Sequence, residues 1–290
     1  MPRARSRTSS KKPARAGVPA RAARPQSRPP TAETPAPFGD PNYMTSLARG
    51  LAVIQAFSQQ SHQLTVSQLS NQAGFSRAAV RRCLYTLTKL GFAGSSDSRH
   101  FFLRPRVLTL GHSYISSMPL ATAAQPVLEH VSHLLHESCS IATLDGLDII
   151  YVARANVTRI MSIHLGVGSR LPAFCTSLGR VLLAHLRPEE LESYLARVEL
   201  TACTQWTVSS VDRLRQILRL VRRNGYAIVD QELELGLRSM AVPIQNPDGN
   251  NVVAALNVGT HTQRVSIQTL QTRFLPHLRA AAQELSMLLR

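Results

Sequence analysis

Two short helical patterns follow each other within residues 65–90, separated by a tight turn that contains one glycine. The first pattern begins at Thr65 or Ser67 and ends at Gly74, and Ser76 is placed to cap the second, which spans residues 77–90. A helix, a tight turn containing glycine and a second helix are typical of a helix-turn-helix motif. In that motif the second helix enters the major groove of DNA, so this segment predicts a DNA-binding domain.

The second of these helices carries positive charge only. Its Arg and Lys residues have no acidic partner within the helix, and an apolar stripe leaves them on its other faces. Arginine can bind guanine O6 and N7 with two hydrogen bonds, and a helix N-terminus favours a phosphate. A solvated arginine face is the alternative, but the unrelieved positive charge favours DNA contact. The residues expected to contact DNA are Thr65, Ser76, Arg77, Ala79, Arg81, Arg82 and Tyr85, with Arg99 from the segment that follows.

A hairpin and a further helix are predicted after this motif. Two β-prone runs within residues 92–103 flank a tip at residues 94–99. A hairpin directly after a recognition helix is a wing, in which Arg99 reaches a minor groove or a phosphate. An ordinary hairpin is the alternative, because the wing depends wholly on the preceding helices. Pro105 then interrupts the chain, and residues 105–118 predict a linker helix with apolar side chains available for a partner.

Charge divides the chain into basic and near-neutral parts. Residues 1–40 hold nine basic and two acidic residues, and residues 41–118 hold eight basic residues against Asp97 alone. The rest of the chain holds sixteen basic and fourteen acidic residues. A compact basic domain joined to a near-neutral one is the pattern of a protein that binds the phosphate backbone. Residues 1–40, rich in Pro, Ala, Arg and Ser, predict a disordered basic arm that either adds non-specific DNA affinity or is a dispensable solvated tail.

The sequence predicts an α+β protein of several parts. These are the arm at 1–40, a winged helix-turn-helix domain at 41–104, the linker helix at 105–118 and a second domain at 119–290. In the second domain, β runs lie at 139–144, 148–153, 160–165, 226–230, 239–244 and 252–258. Helical patterns interleave with these runs, which predicts helices packed around a single sheet.

Several segments resemble the IclR family of bacterial transcriptional regulators, over about residues 43–290. Residues 44–54 (MTSLARGLAVI) are similar to that family's opening helix, and residues 76–91 (SRAAVRRCLYTLTKLG) are similar to its recognition helix. Residues 167–180 (VGSRLPAFCTSLGR) and 230–243 (DQELELGLRSMAVP) resemble the two strongest signatures of its effector domain. With NVGTH at 257–261, they look closest to the branch that regulates protocatechuate, 4-hydroxybenzoate and β-ketoadipate catabolism.

The resemblance implies a winged helix-turn-helix, a linker helix and a GAF-like effector-binding domain. It also implies dimers or tetramers on palindromic operator DNA. We expect a small organic acid as effector and RNA polymerase as a further partner. The implied function is regulation of aromatic-acid catabolism genes. Regulation of another carboxylate pathway, or DNA binding without any ligand, is the alternative.

The residues of these signatures also suggest a site for a small organic acid. Such an anion needs a cation, backbone donors and an apolar wall. Arg170, in a glycine-containing loop, offers a carboxylate fork, and Thr176 and Ser177 open a helix whose N–H groups favour an anion. Arg170 paired with an Asp or Glu is an equal alternative, and for Arg238 we favour an ion pair with an acidic residue of 230–234. The full candidate set is Gly168, Arg170, Ala173, Thr176, Ser177, Asp230, Arg238 and Ser239.

The sequence shows no catalytic or metal-binding constellation. His130, His133 and His136 repeat at i, i+3, i+6, whereas helical zinc ligands usually stand at i, i+4. Cys175 precedes a helix N-terminus, yet no His and acid are marked out beside it, so we interpret it as a pocket-lining or core cysteine. The four cysteines form no CxxC pair, and no apolar run approaches the ~18 residues of a membrane span. We therefore expect no enzymatic activity, cofactor, metal or membrane association, and a cytoplasmic location.

Overall fold

A computed structural model of the chain describes residues 40–57, 62–157 and 165–289. Residues 1–39 of the predicted basic arm, and nearly all of the strand predicted at 160–165, lie outside these residues. Within them the chain forms a small first unit, a linker helix and a larger second unit.

The first unit combines three helices with a small sheet. Its elements are α1 (Thr45–Gln55), β1 (Leu64–Thr65), α2 (Val66–Ala73), α3 (Arg77–Lys89), β2 (Ala93–Ser95) and β3 (His100–Leu103). The strands pair antiparallel in the order β1-β3-β2, so the predicted hairpin is present as β2 and β3. Val53, Leu69, Val80 and Leu84 are fully buried between the helices. The helices and hairpin together form the predicted winged helix-turn-helix.

Local hydrogen bonds determine where α2 and α3 begin. The Thr65 hydroxyl accepts from the Gln68 backbone N–H at 3.3 Å, and the Gln68 side chain accepts from the Thr65 backbone N–H at 2.8 Å, which completes a capping box. Gly74 ends α2 at φ 72°, a left-handed conformation that costs glycine little. Ser76 then caps α3 by accepting from the Ala79 N–H at 3.3 Å. The turn between the helices is therefore specified by Gly74 and Ser76.

The linker is fastened to the first unit by one arginine. A 3₁₀ turn (Pro105–Val107) leads into α4 (Leu108–Ser116). The Arg106 guanidinium donates to the Leu90 carbonyl at 2.9 Å and lies 5.5 Å from the centre of the Phe92 ring. Arg106 therefore connects the start of the linker to the residue after α3 and to the residue before the hairpin.

The second unit is built on one six-stranded antiparallel sheet, which confirms the predicted α+β class. In chain order its strands are β4 (Ser138–Asp145), β5 (Asp148–Ala155), β6 (Arg170–Pro172), β7 (Ala227–Asp230), β8 (Leu237–Gln245) and β9 (Val252–His261). Their spatial order is β6-β5-β4-β9-β8-β7. The helices are α5 (Pro119–Leu135), α6 (Ser177–Ala184), α7 (Pro188–Arg197), α8 (Val211–Asn224), α9 (Ile267–Thr269) and α10 (Leu275–Leu288), with a π-helical turn (Leu270–Phe274) between the last two.

Each face of this sheet carries its own buried core. Neighbouring residues of a strand point to opposite faces, so Ile141 and Met240 pack with α5 and α10, whereas Ala142 and Ala241 pack with α6 and α8. Helix α6 contacts the central strands β4, β8 and β9. Its N-terminus is thereby held over the middle of the sheet.

One predicted loop is a strand. The sequence predicts a loop at Arg170, whereas this residue begins β6 and pairs with Ile150 of β5. A strand of three residues is too short to show an alternating pattern, and pairing at the sheet edge is what extends it. Among the described residues, no helix is both long enough and apolar enough to cross a bilayer.

Candidate DNA-binding surface and effector cavity

The outer face of α3 presents exposed positive charge. Arg77, Arg81 and Arg82 are exposed, and none of them lies within 4 Å of a carboxylate of the described residues. The Tyr85 side chain is 65% exposed, and the Lys89 ammonium lies 5.6 Å from the centre of its ring. This face therefore offers unneutralised cations and a hydrogen-bonding phenol to a nucleic acid.

The smaller predicted DNA contacts stand at the two helix starts. The Thr65 hydroxyl both accepts from and donates to Gln68, at 3.3 and 2.9 Å, so its hydrogen bonds are directed within the chain. The Ser76 hydroxyl accepts from the Ala79 N–H, and its own proton is directed to no acceptor among the described residues. The Ser76 hydroxyl proton is thus available at the N-terminus of α3, whereas the Thr65 hydroxyl is engaged at the start of α2.

The tip of the β2–β3 hairpin is held by its only acidic residue. The Asp97 carboxylate accepts from the backbone N–H groups of Arg99 and His100, at 2.9 and 2.7 Å, and lies 2.7 Å from His100 Nδ1. The hydrogen bonds from His100 hold the pKa of Asp97 well below its usual range. Because these bonds engage the carboxylate, the exposed Arg99 guanidinium has no acidic partner within 4 Å in the described part of the chain.

A buried cavity lies in the second unit between the sheet and the N-terminus of α6. Strand register places Arg154, Ser140 and Asn257 in one row across β5, β4 and β9. Ser138, Gly259 and Ser239 form the next row, across β4, β9 and β8. Residues two apart on a strand share a face, so both rows lie on the α6 side. The apolar part of the wall comprises Leu165, Val229, Leu233 and Leu237.

Arg154 is the cation of this cavity. Its guanidinium donates to Ser140 Oγ at 2.9 Å and to Asn156 Oδ1, and it lies 5.7 Å from the centre of the Tyr151 ring. Burial lowers the pKa of Arg154 and raises the pKa of Tyr151 to about 12, so the phenol supplies no negative charge near neutral pH. Within the described ranges no carboxylate lies within 4 Å of Arg154. An anion in the cavity would supply that missing partner.

Two buried polar atoms of the cavity are unpartnered among the described residues. They are Ser177 Oγ and Asn257 Oδ1. Leaving a buried polar atom unpaired costs about 1–3 kcal/mol, so such atoms commonly mark the place of a ligand or water. Ser177 also stands in the first turn of α6, where backbone N–H groups have no partner within the helix. Glu234 is the acidic residue among the residues that line the cavity.

The two arginines named from the sequence lie outside this lining. The Arg170 guanidinium binds Asp145, and its Nε lies 3.3 Å from Asp148 Oδ2. Arg238 donates to both carboxylate oxygens of Asp230, at 3.0 and 2.8 Å. Both arrangements support the ion-pair interpretation, which the sequence alone makes an equal alternative for Arg170 and the favoured one for Arg238.

Of the other candidates for the effector site, some line the cavity and others do not. Thr176, Ser177 and Ser239 line the cavity. Gly168, at φ 85°, and the buried Ala173 shape the chain on either side of β6 without lining the cavity. Sequence reasoning missed the cavity residues Tyr151, Arg154 and Asn257, although Asn257 lies inside a recognised family segment.

A wider groove elsewhere in the second unit has less suitable chemistry. It has a volume of about 560 Å³ and lies between α10 and the β8–β9 connection. Arg279 on its wall already donates to the Asn224 carbonyl at 3.1 Å, and neither unpartnered buried atom borders it. The cavity at Arg154 is smaller, about 50 Å³, but it combines a cation, unpaired polar atoms and an apolar wall.

A winged helix-turn-helix, a linker helix and a domain with such a cavity define a DNA-binding regulator that responds to a small molecule. The sequence matches the family "IclR helix-turn-helix domain" over residues 46–96 and "Bacterial transcriptional regulator IclR C-terminal" over residues 112–287. The chain belongs to the IclR family of bacterial transcriptional regulators. Membership confirms the predicted family and fold, and it confirms that the protein is a regulator rather than an enzyme.

Individual relatives share most of their length with this chain. The "Pca regulon regulatory protein" of Pseudomonas putida is 52% identical, with 92% of this chain and 93% of that protein aligned. The "p-hydroxybenzoate hydroxylase transcriptional activator" of Acinetobacter baylyi is 36% identical, covering 84% and 91%. Among solved structures, an IclR homologue from Microbacterium hydrocarbonoxydans complexed with 4-hydroxybenzoate has a TM-score of 0.73 and 26% identity, covering 85% of this chain and 99% of that one.

Proposed function

We propose that this protein regulates genes of aromatic-acid catabolism in response to a small organic acid such as protocatechuate, 4-hydroxybenzoate or β-ketoadipate. The observation that carries the proposal is the partly buried, carboxylate-free Arg154 in a cavity that also contains the unpaired Ser177 Oγ and Asn257 Oδ1. The names of the Pseudomonas and Acinetobacter relatives support the pathway. The 4-hydroxybenzoate complex of the Microbacterium homologue supports the class of ligand.

In this proposal the acid lies between the sheet and α6. Its carboxylate binds Arg154 and accepts from the polar groups at the start of α6, and its carbon skeleton packs against Leu165, Leu233 and Leu237. The cavity volume of about 50 Å³ holds only a few water-sized spheres, so the walls move outward to admit the acid. The domain thus has an arrangement with the walls closed and one with the walls moved outward, and the acid binds the second more tightly. Such unequal binding is the condition for the acid to change operator affinity or polymerase contact.

The proposed DNA-bound form is a dimer, or a tetramer built from dimers. Leu47 on α1 and Leu108 and Tyr114 on α4 are 58%, 74% and 53% exposed. These side chains suit an apolar contact between two copies that holds two α3 helices at the half-sites of a palindromic operator. Because its proposed operator is bacterial DNA, the proposed location is the cytoplasm, and RNA polymerase is a further proposed partner.

A thermal-shift measurement on the purified chain tests the ligand class. An acid present at about 100 times its Kd stabilises the domain by about 2.7 kcal/mol, which moves the melting midpoint by a few degrees. Protocatechuate, 4-hydroxybenzoate and β-ketoadipate are compared with simple 2-oxo acids. A shift with one of the first three supports the proposal. A shift only with another carboxylate indicates a different pathway, and no shift with any acid indicates DNA binding without a ligand.

Replacing Arg81 by alanine is expected to weaken operator binding by about 1–3 kcal/mol, because a base-reading arginine loses both of its hydrogen bonds. Fluorescence anisotropy with operator and with random DNA measures the change. Arg223→Ala removes an exposed arginine of α8 and serves as the matched control, with unchanged affinity expected. An equal loss on random DNA, together with a smaller salt dependence, would instead assign Arg81 to a phosphate. Unchanged binding to both DNAs would exclude Arg81 as a DNA contact.

A further inference from the structure

The tip of the β2–β3 hairpin carries the single acidic residue of a strongly basic unit. Asp97 is the one Asp or Glu of residues 41–118, which hold eight Arg and Lys residues. Its side chain is 47% exposed, so its negative charge faces solvent and opposes the binding of a polyanion. A favourable contribution of Asp97 to DNA binding can therefore come only from the shape that it gives to the tip.

Three polar groups of the following residues lie around the Asp97 carboxylate. Oδ1 accepts from the backbone N–H groups of Arg99 and His100, at 2.9 and 2.7 Å, and Oδ2 lies 2.7 Å from His100 Nδ1. The hydrogen bond from the His100 side chain, followed by the two from the backbone, holds the pKa of Asp97 well below its usual range. The carboxylate is therefore ionised, and remains a strong acceptor, at any pH at which DNA binding is measured.

The residue enclosed by these hydrogen bonds has an unfavourable backbone conformation. Ser98 has φ 60°, in the left-handed region that residues other than glycine rarely occupy. Asp97 precedes it, and the two N–H groups that Asp97 binds follow it, so the carboxylate holds the turn closed around Ser98. On the strand side, Ser95 Oγ donates to the His100 carbonyl at 2.9 Å. Removing the carboxylate frees Ser98 to adopt a more favourable φ, which changes the direction of the chain at Arg99.

We propose that Asp97 is a positioning residue for DNA binding, and that its hydrogen bonds aim the Arg99 guanidinium at a backbone phosphate of the DNA. Arg99 is exposed, and no carboxylate of the described residues lies within 4 Å of its guanidinium, so the cation is free for a phosphate. The proposal rests on the proposed contact between the hairpin and DNA, but on no particular operator or effector. It predicts that an acidic side chain strengthens binding to a polyanion, which is the opposite of the effect of its charge.

A matched pair of substitutions separates the hydrogen bonds of Asp97 from its charge. Asp97→Asn and Asp97→Ala remove the same negative charge, but the Asn side chain keeps an oxygen that accepts from backbone N–H groups. Fluorescence anisotropy measures the Kd of the full-length protein for a labelled DNA duplex of random sequence, because a phosphate contact does not depend on sequence. We expect Asp97→Asn to bind at least as tightly as wild type and Asp97→Ala to bind at least about fivefold more weakly, the equivalent of one net hydrogen bond. Equal affinities of the two variants would overturn the proposal.

A double-variant cycle tests whether Asp97 acts through Arg99. Arg99→Ala alone is expected to weaken binding by a similar factor and to lower the slope of log Kd against log salt concentration by about one per chain bound. In the Arg99→Ala protein, Asp97→Ala is expected to cause no further loss, because the side chain that Asp97 positions is already absent. An equal loss in both proteins would assign Asp97 a structural role that does not involve Arg99.

The control is a substitution at the same tip. Ser96→Ala truncates an exposed neighbour of Asp97 and leaves the carboxylate in place, so wild-type affinity is expected. Normal binding by Arg99→Ala would refute the contact between the hairpin and DNA, and the role of Asp97 with it. Normal binding by Asp97→Ala, where Arg99→Ala does weaken binding, would refute the role of Asp97 alone.

Discussion

Replacing Glu232 by alanine is expected to lower the free energy of unfolding of the second unit by about 3–5 kcal/mol. The Glu232 carboxylate binds both terminal nitrogens of Arg180 at 2.6 Å and accepts from the Val208 N–H at 3.1 Å. The two side chains are only 10% and 3% exposed, so the substitution leaves a buried guanidinium without its counter-charge. Urea unfolding followed by Trp206 fluorescence measures the effect as a lower midpoint at an unchanged slope.

Two controls distinguish the effect of leaving a buried charge unpaired from the effect of removing any carboxylate. Glu190→Ala removes the partner of Arg187 from an exposed pair with the same 2.6 Å separation, and we expect the unfolding midpoint to stay nearly unchanged. The double variant Arg180→Met, Glu232→Leu buries no charge and is expected to recover most of the lost stability. If Glu232→Ala were no more harmful than Glu190→Ala, burial of this ion pair would have no special importance for the fold.

The first unit could be predicted closely because its signals are local. Gly74 and Ser76 end one helix and begin the next through hydrogen bonds and backbone angles that involve their immediate neighbours. The apolar stripe of α3 follows helical spacing, so its buried face could be read without knowing the partner helices. For the same reason, the exposed cationic side chains of α3 were identified individually.

The cavity could be predicted only in part, because a β-bulge changes which side chains share a face. Thr176, Ser177 and Ser239 followed from local helix and strand patterns. In a regular strand, Tyr151 and Arg154 would point to opposite faces, since they are three residues apart. The register of β4 with β5 shifts between Ile141 and Ala142, which places both side chains on the α6 face. A sequence pattern with period two therefore assigns Arg154 to the wrong side of the sheet.

The ion pairs of the sheet edge join residues that are far apart in the sequence, so the sequence pattern does not predict them. Arg170 meets Asp145 and Asp148 because β6 pairs with β5, so residues more than twenty positions apart become neighbours. For this reason the sequence alone could not distinguish Arg170 as a ligand for the acid from Arg170 as the partner of an acidic residue. In our proposal the cation of the effector site is therefore Arg154 and not Arg170. Substitution of Arg154 is expected to weaken binding of the acid, whereas substitution of Arg170 is not.

Replacing Arg154 by methionine is expected to weaken binding of the effector acid by about 2–5 kcal/mol, because a buried carboxylate then loses its charged hydrogen-bond partner. Methionine keeps an apolar side chain against the Tyr151 ring, where the Arg154 guanidinium now lies 5.7 Å from the ring centre. Isothermal titration with 4-hydroxybenzoate measures the loss. Operator binding without acid is expected to stay intact, since Arg154 lies in the second unit and α3 in the first.

The matched variant Arg170→Met distinguishes the two arginines. It breaks the contacts with Asp145 and Asp148, so we expect lower stability of the β5–β6 edge with nearly normal affinity for the acid. Arg154→Lys keeps the charge but loses the planar fork, and its affinity is expected to lie between those of wild type and Arg154→Met. Normal binding by Arg154→Met, with loss in Arg170→Met, would instead place the carboxylate at the sheet edge. That result would also require the acid to displace two aspartates, which makes the carboxylate-free Arg154 the stronger assignment.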